Sequence, residues 1–467
     1  MALPPLNVPL AWKSSDPLVV ALLDDLQANI LKGHGRNRSL NLFLRFDPAK
    51  AAAIKGAIHQ LSGNLKTAKQ HLVQAEEFKT TGVDGGIIRC FMLAFAGYQA
   101  LGVAAKAPGA AGDAFHAGMK SRRVVLNDTL ESTWDAHFQQ PVHALLLLAD
   151  DDNDRLQAER DSVVASLQAV GVTILGEEVG DQQRNGRGVG VEHFGYVDGR
   201  SQPLLLAEDV AREKLNNDGM SMWDPAFPAD QVLVTKAGAV QGSFFVFRKL
   251  EQDVLGFKRK EEGLADSLGL HGDAHELAGA MMVGRFEDGT PVVLRNEAGM
   301  GGDVPNNFNY DDDTTAVKCP FHGHVRKTNP RGTGGFESIA VERRHIMARR
   351  GITYGEREPG MCDRPEGEVG LLFASFQTSL ENQFEFTQIR WANDPGFPKP
   401  VGPPVPTPAP GTDPVMGQVA TPANTQQTPL QWGDPATAKQ AQSFGGFVKL
   451  KGGEYFFAPV VSTLRTL

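Results

Sequence analysis

The feature that most constrains how this chain can fold is the alternation of strand-like and helix-like stretches between Ser39 and Val179. Ser39 to Phe46 (SLNLFLRF) alternates as a half-buried strand does. Asp47 follows and can cap a helix from Pro48 to about Leu61. Gly86 to Phe95 (GIIRCFMLAF) reads as a second strand. Val142 to Ala149 (VHALLLLA) is a buried strand by its continuous apolar run. Asp154 to Val170 is an amphipathic helix, and Val172 to Val179 a closing strand. Strand, helix, strand, given twice, is the split pattern of a ferredoxin-like α+β domain with an antiparallel sheet. Upstream, apolar residues at helical spacing predict a helix over Pro17 to Lys32.

The second half repeats the pattern loosely. Gly242 to Arg248 (GSFFVFR) is a strand, followed by a helix from Leu250 to about Gly263; Gly370 to Gln377 (GLLFASFQ) is a strand, followed by a helical turn at Leu380 to Phe384. At 467 residues the chain exceeds the size at which one core stops growing, so two domains are expected, residues 1–215 and 216–467. Pro395 to Pro414 is too rich in proline for a helix or central strand and reads as an extended surface strap rather than a recognition motif. Gly445 to Val460 (GGFVKLKGGEYFFAPV) reads as a hairpin turning at Gly452-Gly453, which returns the C-terminus to the sheet.

A net charge of −9 and a pI near 5.8 argue against wide contact with nucleic acid or anionic lipid. No apolar run reaches membrane-spanning length. The three cysteines, Cys90, Cys319 and Cys362, are far apart and odd in number, which fits a reducing compartment better than a disulfide framework. The first residues carry no basic segment followed by a long apolar one, so a cytoplasmic protein is expected, a secreted mature form being the alternative.

Three stretches hold chemistry. Cys319 to Arg331 (CPFHGHVRKTNPR) packs two histidines, three fixed cations and two prolines into a stiff segment. Imidazole beside guanidinium suits a metal ligand next to an anion site; the bland reading is a basic surface loop. In His193 to Pro203 (HFGYVDGRSQP), Gly195 and Gly199 bracket Asp198, so the backbone can turn tightly and approach a flat ligand. The alternative is a plain turn whose aspartate caps a helix near Pro203. In Arg343 to Gly351 (RRHIMARRG), Arg349 and Arg350 follow an apolar stretch, as at a solvated helix end.

Taken together and in order, these stretches resemble the signatures of one family, the dye-decolorising peroxidases. FGYVDGRSQP resembles their Gly-x-x-Asp-Gly segment, CPFHGHVRKTNPR their haem-ligand segment, MARRGITYG their distal-arginine segment, and GLLFASFQ the strand after it. The resemblance runs from about Leu26 to Pro459, and LQANILKGHGR with the chain length is similar to the larger bacterial and fungal branch. It implies two ferredoxin-like domains arranged like a dimeric α+β barrel, with haem b held mainly by the second.

By that resemblance His324, not His322, is the iron ligand. The resemblance also implies that Asp413 would accept its other ring N–H, making the imidazole a stronger donor. Asn329, Pro330 and Arg331 would lie near the propionates, Gly199, Arg200 and Ser201 beside the haem, and Leu371 and Phe373 along a dry distal pocket. Asp198 and Arg349 would carry the reaction. Hydrogen peroxide must lose a proton from one oxygen and gain one on the other, and a single carboxylate can move it. A permanent guanidinium stabilises the charge that develops as the O–O bond breaks. The implied partners are hydrogen peroxide and aromatic dyes or phenolics. Mn²⁺ at Glu261, Glu276 and Glu287, with Tyr196 toward the haem, is a further reading, set against solvated surface carboxylates. Tyr354 and Trp391 stand near the motifs, where core packing is the expectation. Two rivals remain: a haem carrier or sensor without turnover, which needs His324 but not Asp198 and Arg349 together, and a zinc site from Cys319, His322, His324 and Cys362, whose spacing is poor.

Overall fold

The computed structural model describes residues 3–216, 219–300, 303–357, 363–399, 409–418 and 425–467. Cys362 and the middle of the proline strap, 400–408, lie outside the described residues.

Four strands come from the first half: β1 (Arg38–Phe46), β2 (Ile88–Leu93), β3 (Ala144–Asp150) and β4 (Val172–Asp181). The helix Ala51–Ser62 follows β1 and Asn153–Ala169 follows β3, each close to where the periodicity put it. The strand order is β4-β1-β3-β2, all antiparallel. The second half supplies β5 (Val234–Lys236), β6 (Ala239–Gln252), β7 (Ala348–Arg349), β8 (Ile352–Tyr354), β9 (Gly370–Gln377) and, past the two-stranded β10 (Thr425–Pro429) and β11 (Lys439–Ser443), the C-terminal β12 (Val448–Pro459). Its order, β12-β6-β9-β7, is the same pattern: last, first, third, second. The fold is α+β, with two ferredoxin-like sheets.

The sheets are continuous. Phe457 of β12 pairs with Leu93 of β2, so the last strand of the chain stitches the two halves together across the expected boundary at 215/216. At the far edges β8 meets β4, where Thr353 Oγ1 donates to Asp181 O and accepts from the Gln183 amide at 2.9 Å. The result is a curled sheet with an apolar interior. In β1, Phe43 points into that interior beside Phe247 and Phe138, while Leu40, Leu42 and Leu44 pack under the helices with Ile54 and Ile58. Period-two side-chain alternation thus feeds two cores from one strand. A third apolar cluster gathers Phe194, Tyr196, Phe257 and the helix Glu276–Val283.

Several expectations need correction. The first helix stops at Asp25 rather than Lys32, because Gln27 is drawn into the sheet: its amide donates to Phe91 O at 2.8 Å and Pro459 O at 2.7 Å and accepts from the Phe91 N–H at 2.8 Å. The helix expected at Leu250 starts at Val254, since β6 runs on to Gln252 and Asp253 caps the helix by accepting from the Gly256 N–H. The helical turn after β9 is longer than expected and π-type, over Leu380–Glu385 and Thr387–Ala392. A helix at Ala68–Thr81, with a Thr67/Gln70 capping box, had no expectation attached. Gly452-Gly453 is not a hairpin turn. The two glycines pair with Lys249 and Arg248 inside β12, just past a bulge at Lys451, and a Cβ on Gly452 would lie 2.2 Å from the Phe138 ring.

Strand β9 positions the site. Leu372, Ala374 and Phe376 face the interior, so Leu371 and Phe373 face the other way. Gly370 opens the strand where a Cβ would lie 2.0 Å from Leu250 O. Gly370→Ala must therefore part β6 from β9, and a loss of about 1–3 kcal/mol is expected, read as a lower denaturant midpoint at unchanged slope.

Candidate active site

Residues 319–331 are not a surface loop: Cys319, His322, Arg326, Lys327 and Arg331 are all buried. The two histidines part company here. His322 is fully buried, and burial pulls it down to about 3, which keeps the ring neutral. His324 opens the short helix His324–Thr328 and lines a cavity of about 1640 Å³, counting the solvent at its mouth. Its Nδ1 is 2.8 Å from Asp413 Oδ2, which leaves Nε2 as the ring nitrogen for the cavity. Asp413, reached at the end of the strap, is fully buried. Its Oδ1 accepts from the Val415 and Met416 N–H groups at 2.8 and 2.9 Å. Burial by itself would raise the Asp413 pKa; the His324 charge and hydrogen bond, helped by those amides, hold it below the usual carboxylate range. Burial likewise opposes protonation of His324, and Asp413 more than offsets it.

Asp198 and Arg349 line the same cavity, from different elements. The Asp198 loop is shaped by Gly195 and Gly199, at φ 101° and 80°, values that favour glycine. Asp198 caps no helix, since the next one begins at Ala207 without a side-chain cap. Arg349 is the last residue of β7 and pairs with Ser375 of β9. Its Nη1 donates to Asp198 Oδ1 at 3.2 Å and its Nη2 to Arg200 O at 3.1 Å. Arg350, one residue on, turns away and donates to Asn29 O at 2.7 Å and Ile30 O at 2.8 Å. Adjacent residues of an extended chain face opposite ways, so one arginine reaches the cavity and its neighbour clamps the LQANILKGHGR segment.

Arg200, Ser201, Asn329, Leu371 and Phe373 also line the cavity; Gly199, Pro330 and Arg331 do not. Arg331 donates to Asn306 O at 2.8 Å and to Ser201 Oγ at 3.1 Å, and its guanidinium lies over the Phe308 ring. Arg285, which no motif singled out, lines the cavity and donates to the same Ser201 Oγ at 3.2 Å. Glu192 was missed as well. It lines the cavity, accepts from the Phe194 and Tyr196 N–H groups at 2.8 and 3.0 Å, and is pushed up to about 7 by burial.

Around Tyr196 two of the acidic residues are engaged with a lysine and one of them with the tyrosine. Tyr196 Oη donates to Glu261 Oε1, and Lys258 Nζ bridges Glu261, at 2.8 Å, and Glu287. Among the described residues no group of three His, Cys, Asp or Glu side chains could hold a metal ion, in this cluster or around Cys319 and His322. Tyr354 and Trp391 are buried at 6% and 2% exposure, as core packing requires. No described helix is long and apolar enough to cross a membrane.

The cavity suits a flat, largely apolar macrocycle with charged edges. One wall offers an imidazole nitrogen, Leu250, Val283, Leu371, Phe373 and Val415 offer apolar surface, and Arg200, Arg285 and Asn329 offer donors to carboxylates.

Residues 25–179 match the family model described as the DyP dimeric alpha+beta barrel domain. The chain is 46% identical to the multifunctional dye peroxidase DyP2 of Amycolatopsis sp., over 99% of both chains. The solved structure of that protein superposes with a TM-score of 0.93, covering 99% of this chain and 100% of the other. The DyP-type peroxidase of Anabaena sp. superposes with a TM-score of 0.89 at 40% identity, covering 99% of this chain and 98% of the other. A dye-decolorising peroxidase solved as a complex with 2,6-dimethoxyphenol gives 0.75 at 27% identity, covering 95% and 98%. Full-length identity at this level, on the same fold, shows that the chain belongs to the dye-decolorising peroxidase family.

Proposed function

We propose that this protein is a haem peroxidase that consumes hydrogen peroxide and oxidises dyes and phenolics, with haem b in the cavity beside His324. The observation that carries the reading is one cavity holding both an Asp-backed histidine and an Asp–Arg pair. A carrier or sensor would use the first pair and leave the second without purpose. The family membership and the phenol complex of a relative support the substrate class.

Haem, when bound, supplies the exchange of electrons with peroxide and with the donor. The rest falls to side chains. Asp198 takes the proton from one peroxide oxygen and returns it to the other, so that water can leave. Arg349, anchored by Arg200 O and Asp198, holds a fixed positive charge where negative charge develops on oxygen. Leu371 and Phe373 give the cavity an apolar wall, which would exclude water from the bound peroxide and strengthen both effects. Asp413 sets the His324 tautomer with Nδ1 protonated and Nε2 free to ligate. Asn329, Arg200 and Arg285 would take the carboxylates of the macrocycle, with Gly199, Pro330 and Arg331 as backbone and packing support behind them. The division at 215/216 is part of the proposal, the second unit contributing the histidine and the arginine. Cys90 and Cys319 are free and buried, which fits a reducing, cytoplasmic setting.

Manganese oxidation at Glu261, Glu276 and Glu287 is a narrower reading, and Lys258 stands where the cation would sit. It requires that lysine to swing away. Mn²⁺ oxidation that is equally fast in the wild type and in Glu276→Ala would eliminate the cluster.

The main test is spectroscopic. The purified protein is expected to show a Soret band that peroxide shifts and a dye restores, and His324→Ala to lose most of it. A band unmoved by peroxide would leave the carrier reading standing. Asp198→Asn and Arg349→Leu should each cut dye turnover roughly a hundred- to a thousand-fold while retaining haem, by the cost of removing one stabilising group. Wild-type bleaching rates in either variant would remove that residue from the mechanism.

A further inference from the structure

The buried ammonium of Lys327 has no part in the chemistry above, yet its nitrogen carries three hydrogen bonds beside the site. It lies on the helix His324–Thr328, one turn after His324, and is fully buried. Its Nζ donates to Asp394 O at 2.8 Å, Phe397 O at 2.5 Å and Gly411 O at 2.9 Å. An ammonium has three protons, and all three go to backbone carbonyls of one segment. Gly411 is two residues before Asp413. The segment is tied on its other side by the Gly411 N–H to Pro395 O and the Asp413 N–H to Ala392 O, both at 2.9 Å. One lysine on the histidine's own helix thus fixes both ends of the strap that delivers the histidine's carboxylate.

The charge matters too. Burial pulls Lys327 down to about 7, and the strongest pull the other way comes from Asp413. A buried charge is costly unless acceptors and opposite charge surround it, and Lys327 has three carbonyls at Nζ with the Asp413 carboxylate beyond them.

We infer that Lys327 is a positioning residue for the His324–Asp413 pair: it sets where the strap presents the Asp413 carboxylate to Nδ1. Lysine suits the place because three carbonyls converge on a point charge, a geometry the planar guanidinium of arginine does not reproduce. The inference rests on the reading of His324 as the haem ligand.

The test uses holoprotein and reads the haem potential and the iron–imidazole stretch of the reduced protein, not turnover. Asp413→Asn is the reference: a weaker imidazole donor favours reduced iron and raises the potential. Lys327→Met, similar in length but without donors, should move both readings the same way. The ferrous-to-ferric ratio at fixed solution potential should rise at least tenfold, about 59 mV for one electron. The double variant should move no further than Asp413→Asn alone, and Lys327→Arg should recover part of the shift. Lys327→Met with wild-type potential and stretch, even at a lowered melting temperature, overturns the inference. So does failure of both lysine variants to accumulate as folded holoprotein, which would assign Lys327 to folding alone. If Asp413→Asn itself moves neither reading, or His324→Ala keeps the wild-type spectrum, it is the ligand assignment that has failed.

Discussion

The structure depends on keeping one carboxylate, Asp413, buried and charged. Nothing in the apolar surroundings of a fully buried aspartate favours its anion. What holds it is a converging set of donors: His324 Nδ1 and the Val415 and Met416 N–H groups. A network of this kind is all or nothing, because removing one partner strands the others in a low dielectric. The helix that begins at His324 and the strap that ends at Asp413 are far apart in sequence, so the pair also fixes how these two segments pack.

Around that pair the barrel does one thing well: it sorts neighbouring residues onto different faces. Leu371 and Phe373 reach the cavity while Leu372 and Ala374 fill the interior. Arg349 reaches Asp198 while Arg350 reaches Asn29. The same rule separates Phe43 from Leu42 and Leu44. Each half of the chain builds the same strand order, and β12 closes the seam between them. The cavity therefore takes residues from both halves, with Asp198 from before residue 215 and His324 and Arg349 from after it.

Strands with strong alternation or continuous apolar runs were legible, and β9 falls on the same residues in both readings. What failed did so for tertiary reasons. Gln27 left a helical pattern because sheet carbonyls competed for its amide. Gly452-Gly453 looked like a turn, but Gly452 makes room for the Phe138 ring and Gly453 for the Phe247 carbonyl. In the site, motif residues were legible because glycine, proline and charge rarely coincide by chance. Arg285 and Glu192 were not, because they sit in ordinary surroundings and reach the cavity only through folding.

Sequence alone determined the α+β class, the repeated ferredoxin-like pattern and the short list of polar residues able to do chemistry, since periodicity and residue type are local properties. Family resemblance could name His324 and Arg349, but periodicity and residue type could not. Tertiary structure supplied the reason, by burying His322 and turning Arg350 away, and it alone placed a lysine among the acidic residues near Tyr196. Those choices turn on burial and on partners remote along the chain, and neither exists until the barrel has closed.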